Sequence, residues 1–133
     1  MQLKKVKASK VNMILKASVH KTGRLGFSSD AAEYLGLKEG YSASILMNDD
    51  DSNDKNLYVQ IHHNQEDSDN FKIGKAGEYF YIGMKWFYHY HNEDYLSQDI
   101  SYDITKTEID GEPFFVFKRK LTKGSNGEAE EDE

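Results

Sequence analysis

The chain has 133 residues, a formal net charge of −6, and 38% hydrophobic and 13% aromatic residues, which allows one compact domain or two small repeats that share a core. It has no cysteine, which excludes disulfides, thiolate metal sites and cysteine nucleophiles. No apolar run approaches the length of a membrane-spanning helix and the lysine-rich start does not resemble a secretory signal, so we predict a cytoplasmic protein with no membrane partner.

Charge is distributed unevenly along the chain. Residues 1–24 contain seven cations and no acid, whereas residues 124–133 contain five acids and no base. A block of like charge at a terminus is typical of an interaction arm, and a basic block suits phosphates. We therefore expect a basic arm over residues 1–12, a disordered acidic tail over residues 124–133, and nucleic-acid contacts from these cations: Lys4, Lys5, Lys7, Lys10, Lys16, Lys21 and Arg24.

Residues 13–63 read as a first ββαββ unit. Alternating apolar residues predict a strand up to His20, and a Thr-Gly turn leads into a short strand ending at Phe27. Residues 28–30 offer N-caps for a helix over 29–35, and Gly36 suits its left-handed C-cap. Two further strands flank the polar loop 48–56.

The same template returns 54 residues later, over residues 69–120. Lys21, Gly23, Tyr34, Glu39 and Tyr41 fall on Lys75, Gly77, Tyr88, Glu93 and Tyr95. Five identities favour a duplication over two unrelated hairpins with similar turns. We therefore predict an α+β fold in which two ββαββ repeats intertwine about a pseudo-two-fold axis, strand-rich with two short helices.

The second half is rich in aromatic residues that suit either a core or a ligand platform. Alternation places Tyr79 and Tyr81 on one face of a strand and Phe80 on the other, and Trp86 follows on the predicted helix. Exposed aromatic rings beside lysines can stack nucleic-acid bases. Tyr79, Tyr81 and Trp86 are therefore the candidates for base stacking, with core packing as the alternative for each.

No residue pattern predicts catalysis or metal binding. The aspartates of loop 48–56 lack the calcium-loop spacing, and His89 and His91 are two apart, which separates them on a helix. Nucleophile motifs and phosphate-binding glycine loops are also missing from the sequence. We expect a protein that is not an enzyme, with no metal, cofactor or small-molecule substrate.

The run Gly23-Arg24-Leu25-Gly26-Phe27, followed by Leu35-Gly36-Leu37-Lys38-Glu39-Gly40, resembles the swapped-hairpin domain of the AbrB/SpoVT family of bacterial DNA-binding regulators over residues 13–63. The resemblance implies an intertwined ββαββ unit that reads DNA through basic hairpin residues. Arg24 matches the family's turn arginine, and Lys16 and Lys21 lie on the same hairpin. Glu78 stands where the second half would repeat that arginine, which favours either a one-sided nucleic-acid contact or a scaffold that has lost DNA binding.

Two functions follow from these patterns. The first is a non-catalytic nucleic-acid-binding protein, a DNA-binding regulator or single-strand binder, that uses the basic hairpin, with DNA favoured over RNA and a homo-oligomer possible. The second is a structural or protein-interaction module that assembles through its aromatic faces. A steep salt dependence of oligonucleotide binding would distinguish the first from the second.

Overall fold

The computed structural model describes residues 1–8 and 13–121 and consists mainly of β-strands. Its strands are β1 (Lys16–Val19), β2 (Arg24–Phe27), β3 (Ser42–Leu46), β4 (Leu57–His62), β5 (Phe71–Ala76), β6 (Tyr79–Gly83), β7 (Ile100–Ile109) and β8 (Glu112–Leu121). Two short helices, α1 (Ser29–Leu35) and α2 (Lys85–Tyr90), follow β2 and β6 respectively. The strands form a closed antiparallel barrel in the order β1-β2-β6-β5-β3-β4-β8-β7, in which β7 pairs back onto β1.

The predicted fold class, two ββαββ repeats intertwined about a pseudo-two-fold axis, is wrong. Neither half of the chain keeps a sheet of its own, because β2 pairs with β6, β3 with β5, β4 with β8 and β1 with β7. These four pairs join distant strands into one continuous ring. Local sequence patterns mark hairpins between neighbouring strands, but pairing between distant strands is decided by tertiary packing.

Local signals placed several elements correctly. Ser28 caps α1, since its Oγ accepts a hydrogen bond from the Ala31 backbone N–H at 3.2 Å, and Gly36 ends the helix with φ 68°. Asp110 and Gly111 form the two-residue turn between β7 and β8 with φ of 52° and 82°. The confirmed features are those set by a few consecutive residues.

The core fills the inside of the barrel. The two helices lie near opposite ends of β2. The first, α1, follows the end of β2 at Phe27. The second, α2, begins near the turn before β2, because the Met84 N–H donates to the Gly23 carbonyl at 3.0 Å. In the described ranges, no helix is long and apolar enough to cross a membrane. The buried core includes Ala17, Leu25, Phe27, Leu35, Leu57, Val59, Ile73, Ile82, Tyr88, Tyr102 and Phe117.

Candidate nucleic-acid interface

The outer surface of β1, β2 and β6 carries a continuous layer of basic and aromatic side chains. The guanidinium carbon of Arg24 lies 3.9 Å from the centroid of the Tyr81 ring. Tyr81 stacks with Tyr79, with ring centroids 6.0 Å apart and planes at 22°. The Tyr79 hydroxyl lies 2.9 Å from Nε2 of His20. We call Lys16, His20, Arg24, Tyr79 and Tyr81 the basic–aromatic face.

Strand alternation puts these side chains outside. Leu25 and Ile82, the paired neighbours of Arg24 and Tyr81 on β2 and β6, are buried in the core. Side chains of adjacent strand positions point to opposite sides of the sheet, so Arg24 and Tyr81 point outward. The expectation that Tyr79 and Tyr81 share a face opposite Phe80 agrees with this arrangement, and both tyrosines are half-buried on the surface.

Two glycines allow the tyrosine rings to pack closely against the strand backbone. A Cβ at Gly74 would come within 2.5 Å of the Tyr81 ring, and a Cβ at Gly26 would overlap the hydroxyl end of Tyr79. Only glycine leaves room for such close approach of a ring to a strand backbone. The two glycines thereby leave room for the hydroxyl ends of Tyr79 and Tyr81 close to the sheet backbone.

The protonation state of Tyr79 suits its contact with His20. Burial raises the pKa of Tyr79, and the positive charge of Arg24 offsets part of that rise. The hydroxyl therefore stays protonated at neutral pH and can donate to Nε2 of a neutral imidazole.

Lys16 lies beside a shallow groove on the same surface. The groove has a volume of about 180 Å³ and is lined by Lys16, Ser18, His20 and Tyr79, among others. Asp103 of β7 pairs in register with Lys16, and its carboxylate lies 3.5 Å from the Lys120 ammonium. Lys16 is exposed, and the acid opposite it in register is paired with another lysine.

Lys21 is partly engaged in holding the structure together. Its ammonium donates to the Tyr95 carbonyl at 2.9 Å and lies 3.8 Å from the Asp99 carboxylate. It therefore ties the β1–β2 turn to the segment after α2. A phosphate would have to share this ammonium with both oxygens, so Lys21 is a weaker candidate than Arg24 and Lys16.

Trp86 lies on α2 and is 75% exposed. The Lys85 ammonium lies 5.3 Å from the centroid of the Trp86 ring, and the His89 ring lies 5.5 Å from it. Exposed aromatic residues with an adjacent cation are suited to stacking ligands. The structure therefore separates the three stacking candidates into Tyr79 and Tyr81 on the barrel wall and Trp86 on the helix.

The remaining predicted cations belong to the N-terminal residues before β1 or lie beyond the described residues. Lys4, Lys5 and Lys7 are exposed in residues 1–8, which precede the barrel strands. Lys10 and the acidic tail 124–133 lie outside the described residues. The basic–aromatic face thus contains two of the seven predicted cations, Lys16 and Arg24, with Lys21 at its edge.

The sequence patterns did not identify the two glycines under the tyrosine rings, Gly26 and Gly74, or the cation Lys85. An isolated glycine in a strand pattern is a signal of close backbone approach, and Gly26 between Leu25 and Phe27 carried that signal. Lys85 could have been noticed as the residue before Trp86. No local signal connects Gly74 to Tyr81, because the two lie on paired strands.

Two polar clusters lie elsewhere in the barrel. Ser44 Oγ lies 2.6 Å from Nε2 of His62, but the adjacent cavity of about 410 Å³ is lined by His62 and not by Ser44. At the α2 end, the buried Arg119 guanidinium pairs with Glu93 at 3.0 Å beside a cavity of about 10 Å³, the size of one water molecule. Within residues 1–8 and 13–121, no three His, Asp or Glu side chains are grouped to hold a metal ion.

Comparisons of the chain with protein-family models, with curated proteins and with solved structures find no match.

Proposed function

We propose that this chain is a non-catalytic nucleic-acid-binding protein that contacts its ligand through the basic–aromatic face. The observation that carries the proposal is Arg24, which is exposed and stacked at 3.9 Å on Tyr81. Stacking leaves the guanidinium donors free for phosphate oxygens while it restricts the side chain, so less entropy is lost on binding. The resemblance of residues 13–63 to the AbrB/SpoVT family favours DNA as the ligand, and the absence of cysteine supports a cytoplasmic location.

We expect the basic arm to add phosphate contacts to those of this surface. Lys4, Lys5 and Lys7 are exposed and precede β1 in the sequence. Each phosphate neutralised adds about 0.7 to the salt slope for a single strand and about 0.9 for a duplex. Lys16 and Arg24 alone therefore give a modest slope, and the arm lysines add to it.

The test is oligonucleotide binding, measured by fluorescence anisotropy over a salt series. Arg24→Ala should weaken binding and lower the slope by about one counterion. Lys38→Ala is the matched control, because Lys38 is an exposed cation that follows α1, away from this face. Equal effects of the two variants would refute the assignment of the face. Absence of DNA and RNA binding at low salt would refute the function itself.

A second candidate function is assembly with another copy of the chain. Leu46, Met47 and Ile109 are exposed, and with Phe114 they line a groove of about 360 Å³ near β4 and β8. In the barrel order β4 and β8 are four positions away from β2 and β6, so this groove is opposite the basic–aromatic face. Sedimentation velocity would test it: Leu46→Lys with Ile109→Lys should reduce self-association without changing oligonucleotide binding.

A further inference from the structure

One side of α2 presents two large aromatic rings to solvent. Trp86 is 75% exposed and Tyr90 is 82% exposed, and their spacing of four residues places them on the same side of the helix. Tyr88, between them in sequence, points into the core and anchors the helix. The two exposed rings therefore sit on a supported element and have little protein contact of their own.

This side of α2 is joined to the basic–aromatic face by the β1–β2 turn. The backbone at Gly23 approaches Lys85 so closely that a Cβ at position 23 would lie 2.6 Å from the Lys85 Cβ. Met84 N–H also donates to the Gly23 carbonyl at 3.0 Å. Because Arg24 follows Gly23 directly, the cations Arg24 and Lys85 lie on either side of this tight contact.

The chemistry of this surface fits a strand of unpaired nucleotides. Exposed rings offer π-faces that can stack on any base, and cations beside them can meet the phosphates between successive bases. In a duplex the bases are already stacked on each other, so a flat exposed ring gains no base face there. The positively charged groups next to Trp86 and Tyr81 complement the backbone of either form, but the rings favour the single-stranded form.

We propose that the basic–aromatic face and the exposed side of α2 form one track for single-stranded nucleic acid. Bases stack on Trp86 and Tyr90, and phosphates pair with Lys85 and Arg24. This inference rests on the proposed function and specifies its ligand. It assigns a binding role to Tyr90 and Lys85, which the sequence patterns did not select.

The experiment uses Trp86 as its own reporter, because it is the single tryptophan of the chain. Emission of the full-length protein is titrated with an oligothymidylate of about 16 nucleotides, within the site size of single-strand-binding domains, and with a duplex of equal length. Stacking of a base on the indole should quench the emission with the single strand and leave it nearly unchanged with the duplex.

Variants then test the rings by anisotropy of a labelled single strand. Tyr90→Ala and Trp86→Ala should each weaken binding by about 5- to 150-fold, the effect of one stacked base. Tyr90→Phe should retain the affinity, because the ring is kept. Leu96→Ala is the control, since it removes an exposed apolar side chain near α2 that is not aromatic. Thermal melts verify that each variant is folded.

Three results would overturn the inference in distinguishable ways. The track is refuted if single strand and duplex bind equally, Trp86 emission is unchanged and Tyr90→Ala has no effect. In that case a loss of binding affinity caused by Arg24→Ala would still support the proposed function. No binding of either oligonucleotide at low salt would refute both. A change of Trp86 emission with protein concentration alone would assign the rings to a contact between copies of the chain.

Discussion

The buried pair of tyrosines beneath α2 gives a sharp test of the packing. Tyr88 on α2 and Tyr102 on β7 are 0% and 1% exposed, and their hydroxyls lie 2.7 Å apart. Replacing either by Phe keeps the ring and removes one hydroxyl. The remaining hydroxyl is then buried with its partner lost, which costs more than the hydrogen bond itself contributed.

The structure predicts unequal costs for the two variants. Tyr102→Phe leaves the Tyr88 hydroxyl unpaired, and we expect a loss of about 1–3 kcal/mol. Tyr88→Phe leaves the Tyr102 hydroxyl, which still interacts with the Arg119 guanidinium. The Nε of Arg119 has no hydrogen-bond partner among the described groups. The loss for Tyr88→Phe should therefore be the smaller. The double variant has no unpaired hydroxyl, so its loss should be below the sum of the two by about 1–2 kcal/mol.

Urea denaturation followed by circular dichroism measures these differences. With a urea dependence of about 1–3 kcal/mol per molar, a loss of 2 kcal/mol moves the midpoint by about 1 M. Tyr90→Phe is the control, because its hydroxyl is exposed and its removal should leave the midpoint unchanged. Strictly additive losses in the double variant would show that the two hydroxyls do not pair and would refute the reasoning.

Three more predictions follow from side-chain environments. Burial raises the pKa of Tyr88 and Tyr102, so the native state keeps protons that the unfolded chain loses above about pH 10. Stability should therefore fall as pH rises beyond that value. Tyrosinate absorbance of the folded protein that is lost in the Tyr88→Phe, Tyr102→Phe double variant would contradict this. The hydrogen bond from Tyr58, then those from Asn48 and the Asn56 N–H, lower the pKa of Asp54. Their contribution to folding stability is therefore present above about pH 4 and is lost as pH falls through the native pKa. Tyr58→Phe should raise the pKa of Asp54 toward 3.8 in an NMR titration, and an unchanged pKa would refute that cause. Gly26→Ala should displace the ring of Tyr79 from the strand backbone and weaken oligonucleotide binding with little loss of stability. Unchanged binding would show that the position of this ring does not affect oligonucleotide binding.

Part of the candidate site could be predicted because it is encoded in one hairpin. Lys16, Lys21 and Arg24 lie within nine residues of each other, and strand alternation sets which of them face outward. The contacts that organise the site are different in kind. Arg24 meets Tyr81, and His20 meets Tyr79, across more than fifty residues of sequence, through the pairing of β2 with β6.

The sequence by itself determined the local elements: the start of α1 within residues 28–30, of which the structure selects Ser28 as the cap, its end at Gly36, the Asp110-Gly111 turn, and the alternation that separates core from surface. These depend on backbone preferences of a few adjacent residues, which is why they can be predicted without a tertiary structure. Only the tertiary structure decided that the two halves share one closed barrel and that the tyrosine rings pack against Gly26 and Gly74. Pairing between distant strands is selected by the free energy of the whole packed core, which no short stretch of sequence determines.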